Sequence, residues 1–337
     1  MTEPQPAPRV PLAVVADDHF EARDVLARLL RKEAFEVVEV EDGAEALRLA
    51  VERRPAVVLL DLVMPRMDGL EALRQIRAKA PEVPVVVVSG IGEAGAERAL
   101  TLGAVNYLSK PFLPKEVRGV LERIRAAHAE ESEVLPCVRS LGANRTVLEI
   151  GNDIALLSRV VAFLGHELRI HYPRRELPHV ETKLAIYEAL ANAIEHGNLE
   201  IGYDAKTEAM KSDGGITGAI ERRRLEAPWK NRHVHVAVEY EPARVTYRVR
   251  DEGPGFGHAD PAAQAKLGDA QSLHGRGLML IRHYMSRVSW NETGNEIRME
   301  LDVPAPAPAK KAGAESKRAS SSDGRRGPSA KDAGPRR

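Results

Sequence analysis

Along the first third of the chain, short apolar runs alternate with stretches whose apolar residues recur at helical spacing. The runs are Leu12 to Ala16, Phe35 to Val40, Ala56 to Leu60, Val83 to Val88 and Ala104 to Leu108. Between them Leu26, Leu29 and Leu30, then Ala46, Leu47 and Ala50, then Leu70, Leu73 and Ile76 each mark one face of a helix. Near-continuous apolar strands separated by amphipathic helices predict a parallel sheet covered on both sides, because parallel strands need crossovers that bury both faces. The expectation is an α/β domain with a doubly wound parallel sheet.

The pattern then changes. Arg118 to Glu133 is charged but keeps Val120, Leu121 and Ile124 on one stripe, so a last helix runs into a polar connector that Pro136 would break. From Thr182 to Asn198 a single helix is expected, with Tyr187, Leu190, Ala191 and Ile194 forming its apolar stripe. Strand alternation follows in His233 to Tyr240 and Val245 to Arg250, and a further helix carries Leu278, Ile281 and Met285. These shifts divide the chain into an N-terminal extension (1–8), a first domain (9–128), a linker (129–140), a second domain (141–303) and a tail (304–337).

Composition narrows the class. The 337 residues suit two domains at about 100 to 200 residues each, and the 43% hydrophobic and 29% charged fractions suit globular protein. No run of about 18 apolar residues could cross a membrane, and the polar, Pro-rich start does not read as a secretory signal, so a cytoplasmic protein is expected. The single Cys137 excludes an intrachain disulfide and a thiolate zinc site, leaving it as a small filler. The formal charge of zero hides a basic tail: nine Lys and Arg against three Asp and Glu leave 304–337 at +6 and the rest at −6. With no aromatic or β-branched residue to bury, that tail is expected to be disordered.

Candidate chemistry sits at the strand ends. Asp17 and Asp18 follow the first apolar run, Asp61 the third, Ser89 the fourth and Lys110 the fifth, and the carboxyl ends of strands are where open α/β sheets bind ligands. Three converging carboxylates make sense around a hard divalent cation such as Mg²⁺ with an ammonium nearby. Asp61, the lone acid on the middle strand, is the natural nucleophile toward a phosphoryl group, with Lys110 neutralising charge on the transferred oxygens. A single acid of this kind is often just a helix cap; five matching residue types at five sites are not.

These residues, with Asp61-Leu62-Val63-Met64-Pro65-Arg66-Met67-Asp68-Gly69 and Lys110-Pro111-Phe112, resemble a response-regulator receiver domain over about residues 9–128. The resemblance implies a flavodoxin-like five-stranded fold, phosphorylation of Asp61 by a partner sensor histidine kinase, and Tyr107 as an aromatic switch residue beside Ser89 and Lys110.

In the second half, Glu188, Asn192 and His196 are each four apart, so all three are expected on one helix face beside the apolar stripe. That suits a cleft wall, where an amide oxygen can ligate Mg²⁺ and a carboxylate can take a proton. Asp251, at a strand end before Gly253-Pro254-Gly255, can accept a hydrogen bond from an exocyclic amine such as that of adenine, and Gly275-Arg276-Gly277 opens a helix whose amides suit phosphate. In this order the segments Glu188 to Asn198, Asp251 to Phe256 and Gly275 to Ile281 resemble the nucleotide boxes of the GHKL-type ATP-binding domain shared by histidine kinases, gyrases and Hsp90-type chaperones. The likeness is greatest to its branch of anti-sigma-factor serine kinases, over about residues 141–303. It implies an α/β sandwich with a mixed sheet, Asn192 on Mg²⁺, Glu188 as general base, Asp251 reading adenine, and Gly253, Gly255, Gly275 and Gly277 shaping the pocket. Leu199 to Arg232 is a longer charged excursion than the minimal domain needs.

Three features read as structural. His166-Glu167-Leu168-Arg169 looks like a phosphohistidine motif but lies too close to Asn192 for the helical hairpin such a histidine needs, so it is taken as a helix end. His233 and His235 share a strand face without a placed carboxylate and read as solvent-facing. Arg222-Arg223-Arg224 reads as solvated helix surface, with phosphate or an acidic partner as the alternative.

The function these readings imply is a two-component regulator whose phosphorylation at Asp61 controls an ATP-binding output of the serine/threonine-kinase or anti-sigma type. Mg²⁺ and ATP are its cofactors. The partners implied are a sensor histidine kinase and an anti-sigma antagonist or sigma factor, and a homodimer is left open. A non-catalytic ATP-binding module that docks a protein partner in a phosphorylation-dependent way is the alternative. A DNA-binding output is disfavoured because no basic helix-turn-helix follows the first domain.

Overall fold

The computed structural model describes residues 10–128, 135–173, 175–201, 215–255 and 275–305. The expected extension, half of the expected linker, Phe256 and nearly all of the basic tail lie outside them. The described residues belong to one compact unit.

The first five strands are β1 Leu12–Ala16, β2 Glu36–Val40, β3 Val57–Leu60, β4 Val85–Ser89 and β5 Asn106–Ser109, in the order β2-β1-β3-β4-β5. All pairings are parallel, with Val14 opposite Val38 and Val58, and Val58 opposite Val85. Helices α1 Phe20–Lys32, α2 Gly43–Arg53, α3 Gly69–Lys79, α4 Glu93–Thr101 and α5 Pro114–His128 alternate with them. The helix starts are written in the sequence: Asp42 accepts hydrogen bonds from Ala44 N at 2.7 Å and Glu45 N at 2.9 Å, and Asp68 accepts from Glu71 N at 2.8 Å. Buried valines and leucines on both faces of β1, β3 and β4 pack into two separate apolar clusters, as a doubly wound sheet requires.

The second sheet comprises β6 Val138–Leu141, β7 Arg145–Ile150, β8 Val234–Glu241, β9 Arg244–Arg250, β10 Arg287–Trp290 and β11 Glu296–Asp302, in the order β10-β11-β9-β8-β7-β6. Its first strand begins inside the segment read as linker. Every pairing among the described residues is antiparallel, which corrects the expected mixed sheet. In β6–β7, β8–β9 and β10–β11 the cause is local, since a short connection can only reverse direction. On β8, Val234, Val236, Val238 and Tyr240 are buried while the residues between them are half-exposed, so one face of the sheet carries the core.

Helices α6 Leu157–His171, α7 His179–Asn192 and α9 Gly275–Tyr284 belong to this half, as does α8 Gly215–Leu225. The single helix expected to reach Asn198 ends instead at Asn192, and Ala193–Asn198 form a wider π turn, in which Leu199 N donates to Ile194 O five residues back at 2.9 Å. His166 sits in the middle of α6 rather than at its end.

The two halves share apolar packing. Leu184 of α7 lies in the same cluster as Leu121 and Ile124 of α5, and Leu280 of α9 in the same cluster as Leu100 and Tyr107. Lys183 Nζ donates to Ala127 O at 2.8 Å, and His283 Nε2 lies 2.9 Å from Leu100 O.

Candidate functional site

At the carboxyl end of the parallel sheet the three aspartates converge. β1 delivers Asp17, almost fully buried, and the partly exposed Asp18, while β3 delivers the buried Asp61. Lys110, just past β5, places its Nζ 2.7 Å from Asp17 Oδ2 and 2.7 Å from Asp61 Oδ2. Burial by itself would lower the lysine's pKa, but hydrogen bonds and attraction from Asp17 and Asp61 outweigh it and raise the value above 10.5. Asp61 Oδ1 accepts from Leu62 N at 2.7 Å, and Asp17 Oδ1 from His19 N at 3.0 Å. Ser89 is buried at the end of β4, and Tyr107 turns inward so that its hydroxyl donates to Ser89 O at 2.8 Å.

Ligand atoms from Asp17, Asp18, His19 and Asp61 all lie within 4.8 Å of one another. This set fits a hard divalent cation, three of its four members being carboxylates. His19 was not anticipated: it follows two acids in a loop, its Nδ1 lies 2.8 Å from Asp18 Oδ1, and its spacing carries no metal-site signature.

In the second half, a cleft of about 480 Å³ opens between α5, α7, α9 and the Asn152–Ala155 segment. Glu188, Asn192 and His196 all line it, as does Glu195, which the π turn brings to the same wall. Glu188 is buried, with Oε1 2.5 Å from Arg123 Nε of α5. Burial pushes its pKa above 4.5, the Arg123 cation pulls it back, and Glu195 adds to the push. At Gly277 a Cβ would press on Glu188 Oε2, so any side chain there would displace the Glu188 carboxylate. Gly275 is the first residue of α9.

Asp251 does not line this cleft. It lies against the π turn that extends α7: a Cβ at Gly197 would strike its carboxylate, and Asn198 Oδ1 accepts from Glu252 N at 2.8 Å. Gly253 N donates to Asp251 Oδ1 at 2.9 Å, and desolvation is the main reason the Asp251 pKa is raised above 3.8. Gly255 adopts φ +74, a conformation that favours glycine, with its backbone close to Thr293 O. Glu188, Asn192 and Gly277 therefore form one group, and Asp251 and Gly253 a second against the π turn that directly follows Asn192.

Arg123 was not anticipated from sequence. Arg223 and Arg224, read as solvated, are engaged: Arg223 Nη1 donates to Leu199 O at 2.5 Å, and Arg224 pairs with Asp153 at 3.1 Å at the cleft rim. His235 does meet a carboxylate, Glu252, at 2.8 Å, because β8 and β9 bring Glu252 beside it.

Among the described residues no helix is long and apolar enough to cross a membrane. Residues 13–122 match the family model of the response regulator receiver domain, and 152–301 match that of the histidine kinase-like ATPase domain. The chemotaxis protein CheY of Listeria monocytogenes serovar 1/2a is 39% identical over 112 residues, covering 33% of this chain and 94% of that protein. The response regulator MprA of Mycobacterium sp. (strain KMS) is 33% identical over 212 residues, covering 58% of this chain and 88% of that protein. Among solved structures, the receiver domain of NtrX from Brucella abortus is similar at 36% identity with a TM-score of 0.32, covering 33% of this chain and 96% of that one. The receiver domain of a sensor histidine kinase from Pseudomonas aeruginosa PAO1, with a magnesium ion coordinated in its active site cleft, is similar at 30% identity with a TM-score of 0.33, covering 34% of this chain and 97% of that one. With its parallel-sheet domain and the ATPase domain behind it both matched, the chain belongs to the response-regulator family.

Proposed function

We propose that Asp61 accepts a phosphoryl group from a sensor histidine kinase, and that this controls an ATP-dependent serine/threonine kinase of the anti-sigma-factor type in the second half. The observation that carries this reading is that Glu188 and Asn192, one turn apart on α7, open into a cleft whose opposite wall is the receiver's own α5. A change in the receiver thereby has a direct route to the output.

In the receiver, Asp17, Asp18 and Asp61 would hold Mg²⁺, which when bound neutralises charge on the phosphoryl oxygens. The Asp61 carboxylate forms the new P–O bond as the bond to the donor's leaving group breaks and its electron pair departs with that group. Lys110, kept charged by its two aspartates, stays beside the acceptor oxygen, and Ser89 and Tyr107 respond to the new group.

In the output, Asn192 would hold the Mg²⁺ of MgATP, Asp251 the adenine, and Gly253, Gly255, Gly275 and Gly277 the shape of the pocket. Glu188 takes the proton from an acceptor hydroxyl as its oxygen attacks the γ-phosphorus and ADP leaves. An anti-sigma antagonist is the acceptor class that fits this reading, with a sigma factor as the regulated partner.

The test is purified protein with labelled ATP and candidate acceptors, with and without acetyl phosphate. Stable phosphoserine or phosphothreonine, changed in amount by phosphorylation of Asp61, supports the reading; ATP binding without any transfer removes the kinase. A second reading, a non-catalytic docking module, is favoured by one observation, the occupation of Glu188 by Arg123. It expects partner binding to follow nucleotide with no phosphate transferred.

A further inference from the structure

A general base must come within about 2.6 to 3.2 Å of the hydroxyl it deprotonates. In Glu188 that approach is taken. Oε1 lies 2.5 Å from Arg123 Nε, and Oε2 faces the backbone of Gly277, where there is no room for even a methyl group. The Glu188 side chain is 4% exposed, so its edge toward the cleft is held by Arg123 while α5 stays in place. The arginine comes from the receiver, 65 residues earlier, on a helix that begins four residues after Lys110.

We propose that Arg123 is a latch: by pairing with Glu188 it holds the receiver's last helix in the seat an acceptor hydroxyl would have to occupy, keeping the ATP-binding half silent until α5 withdraws. This rests on the assignment of Glu188 as the base of that half. Two contacts align α5 for the task without touching Glu188 themselves: Lys183 Nζ on Ala127 O, and Leu184 packed with Leu121 and Ile124. They set the position of the helix, and Arg123 alone among these residues reaches the carboxylate. The receiver's aspartate site lies at the start of the same β5–α5 connection, so a rearrangement around Lys110 is passed to the base of α5.

The experiment uses the full chain with MgATP and acetyl phosphate as probes, and reads ATP turnover together with amide hydrogen exchange in 118–128 and 183–192. In Arg123→Ala, turnover without acetyl phosphate should rise about tenfold or more, the scale of a close charge pair, and should respond no further to the donor. Arg123→Glu should speed exchange in both segments, because two carboxylates then face each other, and the added Glu188→Arg should slow it again. Faster exchange that the reversed pair restores, with no turnover in any form, upholds the latch and removes the assignment of Glu188 as base. If Arg123→Ala turns over ATP at or below the wild-type rate with unchanged MgATP affinity, and Arg123→Glu exchanges like wild type, the latch is overturned.

Discussion

The hydroxyl of Tyr284 donates to the carbonyl oxygen of Ala104 across 3.0 Å, joining two residues 180 positions apart. Ala104 is fully buried at the entry to β5, and the Tyr284 ring packs against the apolar clusters of both halves. The receiver and ATPase domains are therefore tied through their cores and not only through a connecting segment. Tyr284→Phe keeps the packing and strands a buried acceptor, a loss of about 1 to 3 kcal/mol. Urea unfolding followed by fluorescence and by circular dichroism should show one transition in wild type and a lower midpoint by both probes in the variant. Two separated wild-type transitions, with only the second moved, would contradict shared stability.

Asp61→Asn should abolish labelling by acetyl phosphate and leave MgATP affinity within about twofold, a change of about 0.4 kcal/mol. The reasoning is spatial: Asp61 pairs with Lys110 at one end of the parallel sheet, and Glu188 and Asn192 line a different cleft. Phosphate retained on the variant in an acid-stable form would place the acceptor elsewhere. Calorimetry of the same sample reads the second half independently.

Asn192→Ala removes the amide that lines the cleft one turn from Glu188. Calorimetric titration with ATP should lose its dependence on Mg²⁺, with affinity falling about tenfold or more, near 1.4 kcal/mol. Glu188→Gln should separate from it by keeping nucleotide and losing transfer. A Mg²⁺-dependent affinity equal to wild type in Asn192→Ala would remove this residue from the metal.

The receiver centre was legible because each of its polar residues falls within two positions of the end of an apolar run, so that the strand register alone brings Asp17, Asp61, Ser89 and Lys110 to one edge. The output site was legible only in pieces. Glu188 and Asn192 share a helical face whatever surrounds them, but the wider turn at Ala193–Asn198 is set by backbone hydrogen bonding that residue spacing does not express. Arg123 was invisible for a different reason. It lies on the polar stripe of an amphipathic helix, where an arginine facing solvent and one facing a buried carboxylate in another domain have the same local pattern. Leu184 and Leu280, which lie outside the apolar stripes the spacing picks out, each complete a cluster of the other half.

The pH dependence of turnover should report the same pair. Glu188 has a pKa raised above 4.5, first by burial, with Arg123 lowering it and Glu195 raising it further. A base acts when deprotonated, so activity should fall as pH drops through that raised value, at a higher pH than for an ordinary glutamate. Removing Arg123 takes away the one lowering contribution, which moves the acid limb of Arg123→Ala to still higher pH even as its plateau rises. A cation at a nearby position should reverse this in part, so Arg123→Lys should return the limb toward wild type. Rates measured from about pH 5 to 9 on wild type, Arg123→Ala and Arg123→Lys decide the matter. An acid limb at one pH in all three would show that the limb does not belong to Glu188, since a carboxylate 2.5 Å from a guanidinium cannot lose that partner without its proton affinity rising.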